Sequence, residues 1–353
     1  AMHAPTNRTE TKRLRLKELA AHLDLSITTV SRALAGYPDV SEQTRQRVRE
    51  AADAFGYVPN QVGRMLVSGR SNFVGMLLPI EPHALVDPYL ADFLAGLAGG
   101  LTQRGRDLFL ATVPAGQDDL AVLRRVVESR RADAVVLYRL TCEDPRVTFL
   151  IERGVPFVAH GRTLASTEAY SWLDTDGEGA FYDLGRRLIA LGHRRFAMLG
   201  PAKDYTYAFL RRRGLERALA EADLPPPVVM AAPLGDAGAM ARAAAALINS
   251  DPRPTAVVGL KDQLALAVLE EARREGIAVP QALTVVGFDD TPVAAYADPP
   301  LTTFSQSIAE GAATIAAMVV ERLEQGEAGI RGHLVKPRFV PRASHGPAPA
   351  GAG

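Results

Sequence analysis

The chain has 353 residues, so two or three compact units are expected rather than one domain. Its hydrophobic content of 47% suits a buried core, yet no apolar run reaches the ~18 residues that a membrane span needs. No apolar export signal follows Ala1, and the single cysteine, Cys142, excludes an internal disulfide and fits a reducing compartment. These features predict a cytoplasmic protein of several domains.

Charge is distributed unevenly along the chain. The formal net charge is zero, which taken alone argues against binding to nucleic acid. The first 71 residues, however, contain eleven Lys and Arg against seven Asp and Glu, a local charge of +4. Because local charge governs the attraction to phosphates, this part of the chain has the sign that DNA binding requires.

Residues 1–13 are polar and aperiodic, which predicts a disordered arm. Residues 14–58 then show three short amphipathic helical patterns, of which the second begins after Ser26, a residue type that caps helices. One face of this second helix is apolar, and the other carries side chains able to touch base edges or phosphates: Ile27, Thr28, Ser31 and Arg32. The arrangement is typical of the helix-turn-helix, whose second helix enters the DNA major groove.

Strand and helix patterns alternate from Asn72 to about residue 340. Continuous apolar runs indicate buried parallel strands, which are predicted at 73–79, 107–111, 134–138, 156–159, 196–199, 228–230, 256–259 and 284–288. Helices are predicted between them at 90–104, 118–130, 179–191, 210–222, 237–248 and 262–275. So many βα units indicate two doubly wound lobes rather than one sheet. The Pro-, Ala- and Gly-rich tail, 343–353, is predicted to be disordered and offers no leucine heptads for a coiled coil.

Several motifs agree in order and spacing with one known family. Residues 14–70 resemble the DNA-binding headpiece of the lactose/galactose-repressor (LacI/GalR) family of bacterial transcription factors. The matching motifs are Leu-Lys-Glu-Leu-Ala (16–20), Ser-Ile-Thr-Thr-Val-Ser-Arg-Ala-Leu (26–34), Val-Ser-Glu-Gln-Thr-Arg (40–45) and Gly-Tyr-Val-Pro-Asn (56–60). The resemblance extends over nearly the whole chain through Leu-Gly-His-Arg-Arg (191–195), Val-Gly-Phe-Asp-Asp (286–290) and Pro-Pro-Leu-Thr-Thr (299–303).

The resemblance implies a fold class and a domain plan. An N-terminal all-α helix-turn-helix headpiece (14–58) would precede a hinge helix or linker (59–71) and an α/β effector-binding and dimerisation domain (72–342). That domain would be similar to the two-lobed periplasmic sugar-binding proteins, with parallel sheets and the effector in the cleft. Lobe one would comprise about 72–172 and 305–332, and lobe two about 173–304 and 333–342.

The resemblance also implies which residues contact operator DNA. Those of the headpiece are Ser26, Ile27, Thr28, Thr29, Ser31 and Arg32. Those of the hinge are Asn60, Arg64 and Leu66, the last of which matches a leucine that enters the minor groove and bends DNA. The plainer alternative for the hinge is a linker with scattered apolar residues. Asp24 stands where the family usually has a glycine, and aspartate tolerates the left-handed conformation that this turn needs.

Effector contacts are expected beyond the carboxyl ends of the strands, where open α/β lobes bind ligands. Asp262 and Arg211 match the family's effector-binding aspartate and arginine. The alternatives are a helix cap for Asp262 and a solvated arginine run for Arg211. The further candidates are Asp87, Tyr89, Tyr138, His160, Arg162 and Gln306. Lys261 stands where the family often has asparagine, and it would suit a ligand with an acidic or strongly accepting group.

Three other patterns are similar to functional motifs but lack residues that those motifs need. The segment Asp174–Gly179 is similar to the start of a calcium-binding loop, but the twelfth position, which needs a glutamate, is Gly185. The pair Asp289–Asp290 has no accompanying base or metal ligand in sequence, which favours a loop or capping role. The glycines within 96–100 lie inside a helical pattern, so they do not indicate a dinucleotide site. No metal or cofactor is predicted.

Together these features predict a homodimeric, effector-responsive repressor of carbohydrate-use genes that reads a pseudo-palindromic operator. The effector is expected to be a sugar, and the alternative is a sugar phosphate or nucleobase that acts as inducer or co-repressor. A sugar-binding protein without DNA function is disfavoured by residues 14–70. A Rossmann-type enzyme is disfavoured because the sequence has neither a glycine-rich fingerprint nor a clustered acid–base pair.

Overall fold

The structure is a computed structural model, and it describes residues 15–57, 69–80, 88–114, 116–165 and 167–350. The chain separates into two compact units, Ala1–Ser71 and Asn72–Gly353. The predicted arm, most of the predicted hinge with Asn60, Arg64 and Leu66, and the candidate effector residue Asp87 lie outside the described residues.

The described part of the first unit is formed by α1 (Leu16–Leu23), α2 (Ile27–Leu34) and α3 (Glu42–Ala54). All three helices contribute buried apolar side chains to one core: Leu19, Leu23, Val30, Ala33, Val48 and Ala52. A helix as short as α2 is not stable alone, so this shared core is what stabilises it. Asp24 ends α1 in the left-handed conformation, with φ of 51°, and the turn predicted before α2 is confirmed.

The second unit begins with a lobe built on one parallel sheet. Its strands are β1 (Phe73–Ile80), β2 (Asp107–Pro114), β3 (Ala134–Tyr138), β4 (Phe157–His160), β5 (Ser171–Thr175) and β11 (Gly332–Val335), in the order β11-β5-β4-β3-β1-β2. Its helices are α4 (Pro88–Thr102), α5 (Asp119–Glu128), α6 (Pro145–Glu152) and α12 (Ile308–Gln325). Neighbouring strand residues face opposite sides: Val136 packs in the cluster that includes α4 and α12, and Val135 in the cluster of α5 and α6.

A second lobe has its own parallel sheet. The strands are β6 (Phe196–Pro201), β7 (Val228–Ala232), β8 (Ala256–Gly259) and β9 (Thr284–Val286), in the order β7-β6-β8-β9. The helices are α7 (Gly177–Ala190), α8 (Thr206–Glu221), α9 (Ala237–Ile248), α10 (Asp262–Arg274) and α11 (Pro292–Tyr296). An antiparallel pair, β10 (Thr303–Ser305) and β12 (Arg338–Val340), adjoins this sheet through a bridge between Val286 and Thr302.

Two doubly wound lobes with parallel sheets confirm the predicted fold class. The predicted bounds are kept by β3, β8 and α9. The elements that were not predicted include β5 and β11, whose sequences lack a continuous apolar run. Half-polar Ser171–Thr175 is nevertheless almost entirely buried, whereas Gly332–Val335 is an exposed edge strand.

The described chain crosses between the lobes after Thr175, Ser305 and Val335. Two predicted lobe boundaries, 172/173 and 332/333, therefore need correction by about three residues. Both fall inside strands of lobe one, where Gly332 pairs with Trp172 and Val335 pairs with Thr175. The pairing of the two strands continues to their carboxyl ends at Thr175 and Val335, and the chain crosses to lobe two only after these residues.

The tail is predicted to be disordered, and for residues 343–350 that prediction is wrong. Ser344 is fully buried, and its hydroxyl donates to the Val285 carbonyl at 2.6 Å and accepts from the Thr302 N–H at 2.8 Å. The Val285 N–H donates to the Ser344 carbonyl at 2.8 Å, so the segment is held against β9 by hydrogen bonds. Composition does not reveal this, because small residues fit a narrow sheet edge as readily as a flexible tail. Residues 351–353 lie outside the described ranges.

Gly100 in α4 and Asp176, which follows β5, have structural roles. A Cβ atom on Gly100 would lie 2.8 Å from the Cβ of Ala316, so this glycine lets α4 approach α12 closely. Asp176 caps α7 by accepting a hydrogen bond from the Gly179 N–H at 2.9 Å.

Candidate functional site

The candidate DNA-binding surface is the exposed face of α2. Ile27 is 47% exposed and Thr28 is also exposed, whereas Val30 and Ala33 on the other face are fully buried. An exposed isoleucine beside a threonine offers methyl groups and a hydroxyl, which suit contacts with base edges in the major groove. The structure therefore places the predicted base-reading pair on the accessible face of the helix.

Three of the other predicted headpiece contacts, Ser26, Thr29 and Arg32, form side-chain bonds within the unit. Ser26 caps α2, because its hydroxyl accepts from the Thr29 N–H at 3.0 Å and lies 2.8 Å from the Thr29 hydroxyl. Arg32 forms an ion pair with Asp39, with Nη2 2.7 Å from Oδ2, while Ser31 is half-buried. These contacts fix the start of α2 and the position of the Arg32 guanidinium group.

A cavity of about 550 Å³, measured with its open mouth, lies between the two lobes of the second unit. It brings together six of the predicted effector residues: Tyr89, Tyr138, His160, Arg162, Arg211 and Gln306. Tyr138 and His160 are the last residues of β3 and β4, so the cavity lies where open parallel sheets bind ligands.

Stacked aromatic rings form the lobe-one wall of the cavity. The ring centroids of Tyr138 and His160 are 6.2 Å apart with an interplanar angle of 8°, and Phe93 lies 4.8 Å from His160 behind them. Tyr89 stacks on both rings, and its hydroxyl is hydrogen-bonded to Nε2 of His160. The rings pack against one another, so this wall of the cavity is rigid and largely apolar.

His160 is uncharged in this wall at neutral pH. Burial lowers its pKa to about 4, and the cations of Lys261 and Arg211 act in the same direction. The imidazole therefore presents a neutral ring to the cavity, and not a third cation beside Lys261 and Arg211.

An ion pair occupies the ends of β4 and β5. Arg162 Nε lies 3.1 Å from Asp174 Oδ2, and the guanidinium carbon lies 5.2 Å from the Trp172 ring centre. Burial raises the pKa of Asp174, and the charge of Arg162 opposes this effect. The pair gives the cavity a fixed donor and acceptor whose charges offset one another.

Arg211 forms much of the lobe-two wall. It is only 5% exposed, its guanidinium carbon lies 3.5 Å from the ring centre of Phe288, and it donates to the Leu260 carbonyl. Burial lowers its pKa. Arg212 and Arg213, in contrast, are exposed and pair with carboxylates on the surface. Arg211 is thus not a member of a solvated run, which was the alternative interpretation of its sequence.

Lys261, Asp289 and Gln306 form a network at the lobe-two side of the cavity. Lys261 Nζ lies 2.9 Å from one carboxylate oxygen of Asp289, and Gln306 Nε2 donates to the other at 2.7 Å. The Gln306 carbonyl oxygen accepts from the Thr175 hydroxyl at 2.8 Å. Thr175 is the last residue of β5 in lobe one, and Gln306 lies in a crossover. Gln306 therefore links lobe one to the Asp289 carboxylate of lobe two.

Asp262 does not line the cavity, which corrects its predicted role as an effector contact. It is fully buried, and its oxygens accept from the Thr291 N–H at 2.8 Å and from the hydroxyls of Thr291 at 3.0 Å and Thr303 at 2.5 Å. Its position at the start of α10 turns the side chain into the lobe, and the preceding residue, Lys261, faces the cavity. Asp262 therefore has a structural role next to the cavity, through its hydrogen bonds to Thr291 and Thr303.

The Asp289–Asp290 pair was interpreted as a loop or capping element, and for Asp289 this needs correction because it lines the cavity. Both residues have positive φ, 127° and 56°, a conformation that costs free energy for residues other than glycine. Arg342 holds the turn, with Nη2 2.6 Å from an Asp290 oxygen, and the Asp289 N–H donates to the Phe304 carbonyl at 3.0 Å. The unusual backbone points Asp289 at Lys261.

The lobes also meet beside the cavity at Leu140 and Thr206, both of which line it. The Thr206 N–H donates to the Leu140 carbonyl at 3.0 Å, and Thr141 forms an antiparallel bridge with Tyr205. Cys142 follows this bridge and is half-buried. Burial raises the pKa of its thiol, and a hydrogen bond with Thr206 opposes the rise. The two lobes are thus closed against each other at this point.

Sequence reasoning missed several cavity residues, Arg139, Asp174, Tyr207 and Asp289, whereas Lys261 was noted only for the ligand chemistry that it would suit. The position of these residues in the sequence could have identified them, since most of them follow strands or lie near helix starts. Within the described ranges, no cluster of three or more His, Cys, Asp and Glu side chains could hold a metal ion. In the same ranges no helix has the length and apolar character for crossing a membrane.

Known proteins match the chain over nearly its full length. Residues 15–60 match the family described as "Bacterial regulatory proteins, lacI family", and residues 186–345 match the "Periplasmic binding protein-like domain". The HTH-type transcriptional regulator AglR of Rhizobium meliloti (strain 1021) is 36% identical over 342 residues, which are 95% of each chain.

Solved structures support the same assignment. The transcriptional regulator CelR in complex with cellobiose is 28% identical with a TM-score of 0.70, over 94% of this chain and 100% of that chain. The lac repressor dimer bound to operator and the anti-inducer ONPF is 24% identical with a TM-score of 0.79, over 94% of this chain and 99% of that chain. The second comparison shows a shared fold.

A helix-turn-helix unit followed by a two-lobed domain, with a cavity at the carboxyl ends of its strands, defines a DNA-binding regulator with a candidate small-molecule site. The relatives AglR, CelR and RafR are HTH-type transcriptional regulators. The chain belongs to the lacI family of bacterial regulatory proteins and is a transcriptional regulator.

Proposed function

We propose that this protein is a cytoplasmic, homodimeric repressor of carbohydrate-use genes, and not an enzyme, and that a sugar bound between its lobes changes its affinity for operator DNA. The exposed face of α2, with Ile27 and Thr28, would read bases in each half of a pseudo-palindromic operator. The sugar would act by favouring one arrangement of the lobes, and by linkage DNA would alter sugar affinity by the same factor.

The observation that supports a sugar best is the chemistry of the cavity lining. Two ion pairs, Lys261–Asp289 and Arg162–Asp174, lie beside stacked aromatic rings. Paired charges hold donors and acceptors in fixed positions while their net field is small, which suits hydroxyl groups because these both donate and accept. The aromatic wall suits the apolar face of a sugar ring. The solved CelR–cellobiose complex, on a related chain, agrees with this choice.

A sugar phosphate is the second candidate, because Arg211 is a buried cation. Within the described residues no carboxylate lies within ion-pair distance of its guanidinium group. A phosphate would supply that charge, since arginine binds phosphate through parallel hydrogen bonds. A nucleobase would use the same donors with less charge compensation.

Calorimetric titration and thermal unfolding with cellobiose, glucose 6-phosphate and adenine test the effector class. We expect cellobiose to bind and to raise the unfolding temperature, because ligand at 100 times its Kd stabilises the folded state by about 2.7 kcal/mol. Asp289→Ala should abolish the shift. Glu321→Gln, which breaks a surface pair with Arg331, is the matched control and should leave the shift unchanged.

Selection of bound sequences from random duplex DNA tests the regulator half of the proposal. A pseudo-palindrome should be enriched, and the sugar should change its affinity when both titrations are made at one salt concentration. Binding of glucose 6-phosphate or adenine alone would replace the sugar with that class. Operator binding that no cavity ligand changes would contradict the coupling.

A further inference from the structure

Arg32, on the candidate DNA-binding helix α2, has a carboxylate along one edge of its guanidinium group. Its Nη2 lies 2.7 Å from Asp39 Oδ2, and its Nε donates to the other oxygen, Oδ1, at 3.3 Å. The ring of Tyr37 covers one face of the same group, with the guanidinium carbon 4.6 Å from the ring centre. One edge and one face of this planar group are therefore held by the loop that follows α2.

The loop returns to Arg32 because of its backbone conformation. Gly36 has a positive φ of 77°, a conformation that glycine adopts readily just after a helix. The Tyr37 N–H then donates to the Arg32 carbonyl at 3.0 Å, and Arg45 of α3 donates to the Gly36 carbonyl at 3.3 Å. The position of Asp39 beside Arg32 is thus set by the backbone and by α3 as well as by the ion pair.

The contacts of Arg32 leave one edge of the guanidinium group with its donors. A guanidinium group has five N–H donors in one plane, and Asp39 uses one on Nε and one on Nη2. The edge formed by Nη1 and Nη2 therefore keeps parallel N–H groups, which match the O6 and N7 acceptors of guanine in the major groove. Arg32 lies one helical turn after Thr28, on the face of α2 that carries the candidate base contacts. Its side chain is 42% exposed, so a base can approach it.

Neither stability nor general attraction to DNA accounts for Asp39. The Asp39 side chain is 54% exposed, and ion pairs between exposed side chains contribute little to stability. A carboxylate on a DNA-binding surface also repels phosphates, which lowers the affinity for every sequence. The pair does, however, restrict a long side chain that otherwise has many rotamers. A restricted side chain loses less entropy on binding, and this gain applies only to a base that fits the orientation in which Arg32 is held.

We propose that Asp39 is a positioning residue for base recognition, and that it holds the Arg32 guanidinium group so that the Nη1–Nη2 edge binds a guanine of the operator half-site. Tyr37 supports the same orientation by stacking on the group. Arg32 makes the contact with the base, and Asp39 determines specificity through Arg32. This inference rests on the DNA-binding half of the proposed function and does not depend on the identity of the effector.

The test compares two variants that each remove one negative charge from an ion pair of the same unit. Asp39→Asn breaks the two-bonded pair, because an amide has only one acceptor oxygen. Glu42→Gln is the matched control, since Glu42 also pairs with an arginine, with Arg45 Nη2 2.7 Å from its Oε2, but lies on α3. Fluorescence anisotropy of the full-length protein at one salt concentration gives the affinity for the sequence selected from random duplex DNA, for versions with each guanine replaced, and for an unrelated duplex.

The two variants should differ in discrimination and not in general affinity. Arg32→Ala identifies the guanine, because discrimination at that base pair should disappear. In Asp39→Asn, discrimination at the same pair should fall about five- to tenfold, the lower part of the range for one bidentate base contact. Affinity for the unrelated duplex should stay the same or rise in both Asp39→Asn and Glu42→Gln, because repulsion of phosphates decreases. Glu42→Gln should leave discrimination within about twofold, since α3 does not carry the base contact.

A double variant shows whether Asp39 acts through Arg32. In the Arg32→Ala background, Asp39→Asn should have no further effect on discrimination, because the effects of two residues that act as one unit are not additive. A full effect in that background overturns the inference, and so does unchanged discrimination in Asp39→Asn or an equal loss in Glu42→Gln. If Arg32→Ala alters no base preference, the inference fails while base reading by Ile27 and Thr28 stands. If the parent selects no sequence from random DNA, the DNA-binding half of the proposed function fails and the inference fails with it.

Discussion

Lys261 Nζ lies 2.9 Å from Asp289 Oδ2, with the two side chains only 8% and 2% exposed. The same ammonium group lies 4.5 Å from the ring centre of Tyr89, on the opposite lobe. One ion pair therefore belongs both to the cavity lining and to the contact between the lobes. Removing one partner leaves a buried charge without compensation, which is more harmful than losing a surface pair.

Asp289→Ala should lower the free energy of unfolding by about 3–5 kcal/mol, the range for breaking a buried ion pair from one side. It should also abolish cellobiose binding, because the carboxylate faces the cavity. Urea denaturation and calorimetry measure the two effects. Glu321→Gln breaks the exposed pair with Arg331 and should change stability little. Parental stability in Asp289→Ala would show that the pair is not formed in solution.

The stability of the protein should depend on pH through Asp262. Burial, helped by the neighbouring charge of Asp289, raises its pKa to about 6. A carboxyl with a raised pKa stabilises the folded state fully below about pH 4, and this contribution is lost as pH rises through 6. Asp262→Asn cannot ionise, so its free energy of unfolding relative to the parent should increase by up to about 3 kcal/mol from pH 4 to 7. A relative stability that does not vary over this range would contradict the raised pKa.

His160 should give a pH dependence of the opposite sign. Burial lowers its pKa to about 4, so its contribution is present above pH 6.5 and is lost as pH falls through 4. His160→Gln lacks this group, and its stability relative to the parent should increase towards acid pH by up to about 3 kcal/mol. Urea denaturation of both variants at pH 4.5, 5.5 and 7 measures the slopes. Two slopes of the same sign would rule out one of the two assignments.

Cys142 should report on the contact between the lobes. It follows the Thr141–Tyr205 bridge and is half-buried, so an alkylating reagent should reach the thiol faster when this contact opens. If the effector favours the closed lobes, alkylation should slow by up to about 100-fold at 100 times its Kd. Mass spectrometry of the iodoacetamide-treated protein gives the rate, and the unfolded chain in urea is the control. An unchanged rate at saturating sugar would mean that the bridge does not take part in closure.

Ile27 and Thr28 should choose the operator sequence. Both are exposed on α2 while the other face of the helix is buried. Exchanging the pair for other residues should change which sequence is selected from random DNA, and non-specific affinity should stay within about twofold because it depends on phosphate contacts. An equal loss of both affinities, together with a lower unfolding temperature, would make these residues structural.

How much the sequence reveals is clearest at the boundary between β8 and α10. The strand and the helix were predicted correctly, and Lys261 at their junction lines the cavity. The choice between Lys261 and Asp262 was wrong, because adjacent residues at a helix start point in very different directions. Lys261 is extended, with φ of −145°, and reaches the cavity, whereas Asp262 turns inward. The periodicity of the sequence does not predict where either side chain points. The direction of Asp262 is set by its hydrogen bonds with Thr291 and Thr303, which are distant in sequence.

The same limit applies to the tail and to Asp289. Local composition predicts whether a segment can form a buried strand by itself, and Ala134–Tyr138 was found in this way. It does not predict that Ser344 will find the edge of β9 59 residues away in sequence, or that Arg342 will hold the Asp289–Asp290 turn. Those contacts depend on tertiary structure, which a pattern read along one chain does not contain.

The three crossovers have a practical consequence for protein engineering. Lobe one is assembled from stretches on both sides of lobe two, with α12 and β11 returning to it after Ser305. A chimera that exchanges one lobe with a relative therefore needs junctions near 176, 306 and 336, and all three must fit at once. The unit Ala1–Ser71 ends at a single boundary, so a new operator preference can be grafted with one splice, whereas a new sugar preference requires either three splices or point changes inside the cavity.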